Sequence, residues 1–298
     1  EEKNKIFEKF LKASEEKAFD LEHRNKIKYN ISKYEAAVNK GKNLFSDIEV
    51  AKKRAAICKN KVLNELDKYL IEFEANFITR GGKVIWAQDA NEAVKEILAI
   101  VKKHDARKVV KSKSMITEEI GINEVLEKSG IESLETDLGE FIVQLDDDKP
   151  YHIVTPAMHK SKKDIADLFN QKYGTPLDST PEEITAFVRN LLRDKFVKAD
   201  IGISGCNFLI AETGAVCLTE NEGNALLSTS FPSVHIAVAG IEKIIPSFSD
   251  LDLFWPLLAT NGTGQHVTVY NSILTGPKQD DEIDGPDEMY VVLLDNGR

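Results

Sequence analysis

The chain contains 298 residues with 42% hydrophobic content, which is enough for one large hydrophobic core or two ordinary ones. It has no apolar run of about eighteen residues, and its first residues, EEKNKIFEKFLKASEEK, are charged throughout, so the sequence predicts neither a membrane span nor a secretory signal and favours a cytoplasmic location. The formal net charge is −10, and residues 71–298 carry 22 Lys and Arg against 37 Asp and Glu, which argues against a nucleic-acid partner.

Helix-compatible sequence extends from the N-terminus to about Phe77. Within it, VAKKRAAICKNKVLNELDKYLIEFEANF places apolar residues near helical spacing, and RGG at 80–82 ends the pattern. We therefore predict an N-terminal helical region over 1–79 that packs on an α/β domain over 80–298.

The sequence after residue 82 alternates short β-rich runs with amphipathic helices. Strands are predicted over KVIWA, RKVVKS, IESLET and HIVTP, and helices over NEAVKEILAIVKKH, TEEIGINEVLEKSG and 161–172. A further helix, TPEEITAFVRNLLRDKFVKA, has Thr180 as its predicted N-cap. Four short β-rich runs follow Asp200, then a helix containing Pro256 and the strands HVTVYNSIL and MYVVLLD. This order is typical of parallel strands joined by crossover helices.

Two polar stretches lie where predicted strands end. Lys111, Ser112, Lys113 and Ser114 pass from a strand into a helix start, where free N–H groups and lysines suit a phosphate or carboxylate. Capping by Ser114 with solvated lysines is the alternative, and the residues leave both open. His159 follows the predicted strand HIV and is a candidate acid or base. A structural or merely exposed histidine is the alternative.

Two glutamates lie in or beside apolar β-rich runs, where a carboxylate must be hydrated, paired or hydrogen-bonded. Glu212 precedes a turn, and Glu222 lies in a second turn where it could serve as nucleophile or base. A solvent-facing hairpin tip is the alternative. The turn residues proposed to contact a ligand beside them are Thr213, Gly214, Asn221, Gly223 and Asn224, and the loop TNGTGQ adds Gly262 and Gly264. Three scattered cysteines predict no metal site.

Six long stretches, in the same order from about residue 50 to the end, resemble the lactate utilization protein B family. They include VVKSKSMITEEIGINEVLEKSGIESLETDLGEFIVQL, ADIGISGCNFLIAETGAVCLTENEGNALL and VVLLDNGR. The resemblance implies a LUD domain, an α/β fold with a Rossmann-type sheet similar to the NagB/RpiA/CoA-transferase superfamily and flanked by helices. It also implies a role in oxidising L-lactate to pyruvate together with other Lut subunits.

In that family a segment with CxxCxxCxxxCP cysteines follows the DNGR stretch, so the resemblance places 4Fe–4S clusters there and no cofactor in this chain. The chain begins without Met and stops directly after a strand-like run, and we expect it to be inactive alone and part of a longer protein. The expected substrate is a small carboxylate. Alternatives are a non-redox metabolite-binding or CoA-transferase/isomerase-like domain, or a structural assembly subunit. We expect Lys111, His159, Glu212 and Glu222 to surround one cleft.

Overall fold

The computed structural model describes residues 2–298. Four helices come first: α1 (Glu2–Phe19), α2 (Leu21–Lys42), α3 (Ile48–Asn64) and α4 (Leu66–Thr79). The alternating part follows with β1 (Lys83–Ala87), α5 (Ala90–Lys103), β2 (Lys108–Lys111), α6 (Met115–Glu119), α7 (Ile122–Lys128), β3 (Glu132–Glu135), α8 (Leu138–Leu145), α9 (Lys162–Tyr173) and α10 (Pro181–Val197). The last third contains β4 (Ile201–Ser204), β5 (Phe208–Ile210), β6 (Ala215–Glu220), α11 (Asn224–Ser230), β7 (Val234–Gly240), β8 (Ile244–Ile245), α12 (Leu251–Thr263), β9 (Tyr270–Leu274) and β10 (Glu288–Leu294).

The larger sheet has six strands in the order β1-β10-β7-β4-β2-β3, and every neighbouring pair is parallel. From β2 the chain moves outward to β3, whereas from β4 it moves the other way, through β7 to β10. The loops that follow β2 and β4 therefore diverge. In open α/β sheets such a reversal creates a crevice at the carboxyl edge, where ligands bind.

A smaller sheet, in the order β8-β5-β6-β9, packs beside the larger one. Strands β5 and β6 form an antiparallel hairpin whose turn contains Gly214 at φ 64°. A Cβ at Gly214 would lie 2.3 Å from the backbone nitrogen of Phe77, so only glycine allows the hairpin to approach α4 this closely.

Apolar side chains cover both faces of the larger sheet, as the all-parallel arrangement requires. Helices α5, α6 and α7 pack on one face around Ile97 and Ile203. On the other face, Phe73 and Phe77 of α4 pack with Val216 and Val291. The predicted fold class, an α/β sheet flanked by helices and preceded by N-terminal helices, is confirmed.

Two predicted elements differ from the structure. HIVTP is not a strand, and residues 151–161 form turns and bends instead. His152 Nδ1 accepts a hydrogen bond from the N–H of Val154 (3.1 Å), which bends the chain. Pro156 has no N–H to donate to a neighbouring strand. The helix predicted over TEEIGINEVLEKSG divides into α6 and α7 at Gly121, which has φ 63°. Thr180 caps α10 as predicted, since its hydroxyl accepts from the N–H of Glu183 (3.2 Å). Pro256 lies inside α12.

Candidate functional site

A cleft of about 410 Å³ opens at the carboxyl edge of the larger sheet, facing the smaller sheet. Its lining includes residues 112–114 after β2, Gly205 after β4, Gly240 at the end of β7 and Arg298 after β10. The cleft thus lies at the reversal between β2 and β4, and its volume lies within the range of small-molecule sites. It is the candidate functional site.

The segment after β2 forms the floor of the cleft. Lys113 Nζ donates to Asp137 Oδ2 (2.8 Å) and to the carbonyl of Val154 (3.4 Å). Ser114 faces Gly205, where a Cβ would lie 2.4 Å from the Ser114 hydroxyl oxygen. Glycine at 205 therefore lets the ends of β2 and β4 come together, and Lys113 joins this floor to Asp137, the residue that caps the start of α8.

The turn after β6 supplies the carboxylates of the opposite wall. Glu220 accepts hydrogen bonds from the N–H groups of Ala225 (2.9 Å) and Leu226 (2.8 Å), and so fixes the start of α11. Glu222 Oε2 accepts from the N–H of Leu138 (3.0 Å) at the start of α8. Partial burial and the charge of Asp137 raise the pKa of Glu222 above its ordinary value. Asn221, Asn224 and Gly262 also line the cleft.

The charge balance of the cleft is negative. Among the lining residues that the structure describes, three carry positive charge and each is paired: Lys113 with Asp137 (2.8 Å), Lys243 with Glu242 (3.6 Å), and Arg298 with Glu119 (2.6 Å) and Glu242 (3.1 Å). The carboxylates that line it are Glu119, Asp137, Glu220, Glu222 and Glu242. A ligand that enters therefore meets more negative than positive charge.

Lys111 lies beneath the cleft and is completely buried. Its ammonium contacts Glu135 Oε1 (2.6 Å), Glu118 Oε1 (3.2 Å) and the Thr117 hydroxyl (2.9 Å). Burial alone lowers the pKa of Lys111, but the charges of Glu135 and Glu118 raise it more, and the net direction is upward. Lys111 therefore remains charged and ties β2 to β3 and α6, and no ligand in the cleft can reach it.

Glu140, in the first turn of α8, is a further member of this acidic group. Its side chain is 6% exposed, and burial followed by the charges of Glu135 and Glu118 raises its pKa from 4.5 to about 7. Because the folded pKa is raised, Glu140 favours the folded state below pH 4.5, and that contribution is lost as the pH rises to about 7.

We expect Glu140→Gln to leave stability unchanged near pH 4.5 and to raise the free energy of unfolding by about 1–3 kcal/mol above pH 7. The gain follows because glutamine avoids the cost of a buried ionised carboxylate. Urea unfolding of both proteins at several pH values measures it. A gain of equal size at pH 4.5 and pH 8 would contradict the assigned ionisation.

His159 lies outside the cleft lining. Its Nε2 contacts Asp148 Oδ2 (2.8 Å), and its ring stacks on Tyr151 with centroids 3.8 Å apart. His23 of α2 packs against both rings. Burial lowers the pKa of His159 more than the Asp148 carboxylate raises it. The expected placement of His159 in a shared cleft is wrong, because the segment before it forms turns that fold against α2 instead of a strand.

Glu212, Thr213, Gly214 and Gly264 also lie away from the cleft lining. Glu212 Oε2 accepts from the N–H of Phe248 (3.0 Å), and its own turn packs on α4. Gly264, at φ 75°, ends α12 where a Cβ would lie 2.2 Å from the carbonyl oxygen of Ala37. Of the four residues expected to surround one cleft, only Glu222 lines it, and the expectation is wrong for Lys111, His159 and Glu212.

The remaining predicted residues divide between the cleft and its supports. Ser112, Lys113, Ser114, Asn221, Asn224 and Gly262 line the cleft with Glu222. Gly223, at φ 78°, immediately precedes α11, and a Cβ at this position would lie 3.5 Å from the Tyr270 ring. Sequence reasoning missed Asp137 and Glu220. The pattern TDLGE marks Asp137 as a helix N-cap. It does not show that Asp137 approaches Lys113, because that contact depends on the pairing of β2 with β3.

A family model described as "LUD domain" matches residues 70–294. The chain belongs to the LUD-domain family. This LUD domain is 50% identical over 236 residues to lactate utilization protein B of Oceanobacillus iheyensis, covering 79% of the chain and 49% of the relative. It is 49% identical over 238 residues to lactate utilization protein B of Bacillus subtilis, covering 80% of the chain and 50% of the relative. The resemblance stated from the sequence is confirmed.

Two further similarities accompany these. An uncharacterized electron transport protein of Escherichia coli, YkgF, is 47% identical over 245 residues, covering 82% of the chain and 52% of that protein. A DUF162 family protein from Deinococcus radiodurans, solved as a crystal structure, is 17% identical with a TM-score of 0.41, covering 77% of the chain and 98% of that structure. The chain thus spans about half the length of the curated relatives it matches.

The three cysteines of this chain do not suit an iron–sulfur cluster. A 4Fe–4S cluster takes four thiolates, and the chain has three cysteines. Burial raises the pKa of Cys217 to about 12 and that of Cys206 well above its ordinary value, so both remain thiols. In residues 2–298, no group of three or more His, Cys, Asp or Glu is arranged to hold a metal ion. None of the helices in this range is long and apolar enough to cross a bilayer.

Proposed function

We propose that this LUD domain binds a small hydroxy acid or keto acid as part of a lactate-oxidising system. The observation that carries the proposal is the identity of 47–50% over about four fifths of the chain to relatives of which two are called lactate utilization protein B. The position of the cleft at the reversal between β2 and β4 supports a binding role, because a purely structural subunit does not require a cleft there.

Lys113 is the residue we propose to hold the carboxylate of the ligand. Its side chain is 29% exposed and keeps donor capacity, because an ammonium has three N–H groups and that of Lys113 makes two contacts, to Asp137 and Val154. The hydroxyls of Ser112 and Ser114 lie on the same segment of the lining. These donors fit one carboxylate, while the negative balance of the cleft disfavours ligands that carry several negative charges.

The electron carrier belongs to the part of the system that this chain does not supply. We propose that it consists of 4Fe–4S clusters in the other half of a longer protein, together with partner Lut subunits. The length of the relatives and the name of the Escherichia coli protein support this division. The free cysteines support a reducing, cytoplasmic setting.

Replacing Lys113 with Met is expected to weaken the binding of lactate and pyruvate on the order of 10- to 100-fold, because a charge-assisted hydrogen bond to the carboxylate is lost. Isothermal titration calorimetry on the full chain measures both affinities. Lys95→Met removes an exposed lysine that does not line the cleft and serves as the matched control. Binding of neither acid to the wild-type chain would overturn the proposed ligand. Equal affinities in Lys113→Met would overturn the role of Lys113.

A second experiment uses the longer protein with its partner subunits. Lactate is expected to reduce the complex that contains the wild-type protein. When lactate is limiting, Lys113→Met is expected to lower the rate of this reduction by a factor similar to its loss of lactate affinity. Full reduction by a variant whose LUD domain no longer binds either acid would show that the domain serves assembly instead.

A further inference from the structure

Glu222 differs from the other carboxylates that line the cleft. Both oxygens of Glu220 accept from backbone N–H groups, and Asp137 pairs with Lys113. Glu119 and Glu242 both contact the guanidinium of Arg298. Glu222 accepts one N–H, from Leu138 (3.0 Å), and is partly buried but open to the cleft. It is therefore the lining carboxylate best placed to contact a ligand.

The charged groups that face Glu222 come from three neighbouring elements. Asp137, at the start of α8, and Glu220, at the end of β6, place negative charge beside it, whereas Lys113, after β2, places positive charge. Burial and Asp137 raise the pKa of Glu222 more than the Leu138 N–H and Lys113 lower it. A proton on Glu222 thus costs less than one on a free glutamate.

Lactate and pyruvate differ in the hydrogen bonds that they can form with a carboxyl group such as that of Glu222. The lactate hydroxyl can donate a hydrogen bond to an ionised carboxylate, whereas the pyruvate carbonyl only accepts. An ionised Glu222 therefore suits the hydroxy acid. A protonated Glu222 suits the keto acid, because its O–H can donate to the carbonyl and it removes one negative charge from an already acidic cleft.

We infer that Glu222 distinguishes the two acids by its protonation: binding of the keto acid takes up one proton at Glu222, and binding of the hydroxy acid does not. The inference rests on the proposed function, since it requires these acids to bind in the cleft. It concerns two binding equilibria, in which lactate O–H donates to the carboxylate or Glu222 O–H donates to the carbonyl of pyruvate.

The test is isothermal titration calorimetry of the full chain with lactate and with pyruvate, between pH 6 and pH 8, in buffers of different ionisation enthalpy. The affinity for pyruvate is expected to fall about tenfold for each pH unit above the pKa of Glu222, with uptake close to one proton. The affinity for lactate is expected to change less than about twofold. In Glu222→Gln, the pH dependence for pyruvate disappears, while Glu127→Gln, an exposed glutamate on α7, behaves as wild type.

Three other calorimetric results would contradict the role inferred for Glu222. Equal pH slopes for the two acids would overturn the inference and leave the proposed function intact. A slope for pyruvate that persists in Glu222→Gln would assign the proton to another carboxylate and overturn it as well. Binding of neither acid would remove the inference together with the proposed ligand. The buffer comparison on the wild-type chain decides the proton count even when the variant does not fold.

Discussion

Replacing Lys111 with Met is expected to lower the free energy of unfolding by about 3–5 kcal/mol at pH 8. The residue is completely buried, and its ammonium contacts Glu135 at 2.6 Å. Methionine fills a similar volume, so the cost comes from charge and not from a cavity. Without Lys111, the carboxylate of Glu135 stays in the interior without an opposite charge at 2.6 Å. It keeps the hydrogen bond that the Asn123 side chain donates to it (2.7 Å).

The loss in Lys111→Met depends on pH in a direction that the ion pair determines. Burial already raises the pKa of Glu135 above 4.5 in the presence of Lys111, and removing the ammonium removes the main attraction that opposes this rise. A raised carboxyl pKa means that stability is lost as the pH rises through it, so the variant is expected to be closer to wild type at pH 5 than at pH 8. Lys111→Met combined with Glu135→Gln should recover most of the loss, because no unpaired charge remains.

Urea unfolding followed by circular dichroism measures these differences. The matched control is Lys108→Met on the same strand, where the lysine is exposed and the change should stay within about 0.5 kcal/mol. If Lys111→Met were as stable as Lys108→Met, the buried pair would contribute little to stability, and the role of Lys111 in tying β2 to β3 and α6 would be wrong.

The architecture could be predicted because each of its elements has a local signal. The alternation of apolar runs with amphipathic helices predicts the parallel sheet. Thr180, followed by Pro181 and Glu183, predicts the start of α10. The strand predicted over HIVTP is absent because its three β-branched residues are bounded by His152 and Pro156, which favour turns. Hydrophobic periodicity and composition identify long elements well. For a short apolar run they do not show whether the flanking residues prevent a strand.

The candidate site could be predicted only in part, because its members come together through the order of strands. Ser112, Lys113 and Ser114 follow a strand that the sequence identified, and they line the cleft. Lys111, the last residue of β2, is completely buried, and the chain leaves the strand directly after it, at Ser112. A run of four polar residues therefore divided into one structural residue and three at the cleft, and only the placement of β3 and Glu135 beside β2 reveals this.

Phe77→Ala is expected to lower the free energy of unfolding by about 3–5 kcal/mol, as a large buried aromatic truncated in a core typically does. Phe77 is completely buried, stacks on Phe73 with ring centroids 5.6 Å apart, and packs with strands of both sheets. A Cβ at Gly82 would lie 2.3 Å from its ring, so the turn into β1 is shaped around this side chain. Urea unfolding measures the loss.

The neighbouring Ile78→Ala is the control, because Ile78 is 52% exposed on the same helix and its truncation should cost less than about 1 kcal/mol. Equal losses would mean that α4 is held by its exposed face and not by the core. The expected contrast places α4 inside the hydrophobic core of the LUD domain, in agreement with a family match that begins at residue 70. Helix α4 then differs from α1, whose described residues from 5 onward are exposed, because Gly214 and Gly82 allow both sheets to close on its aromatic face.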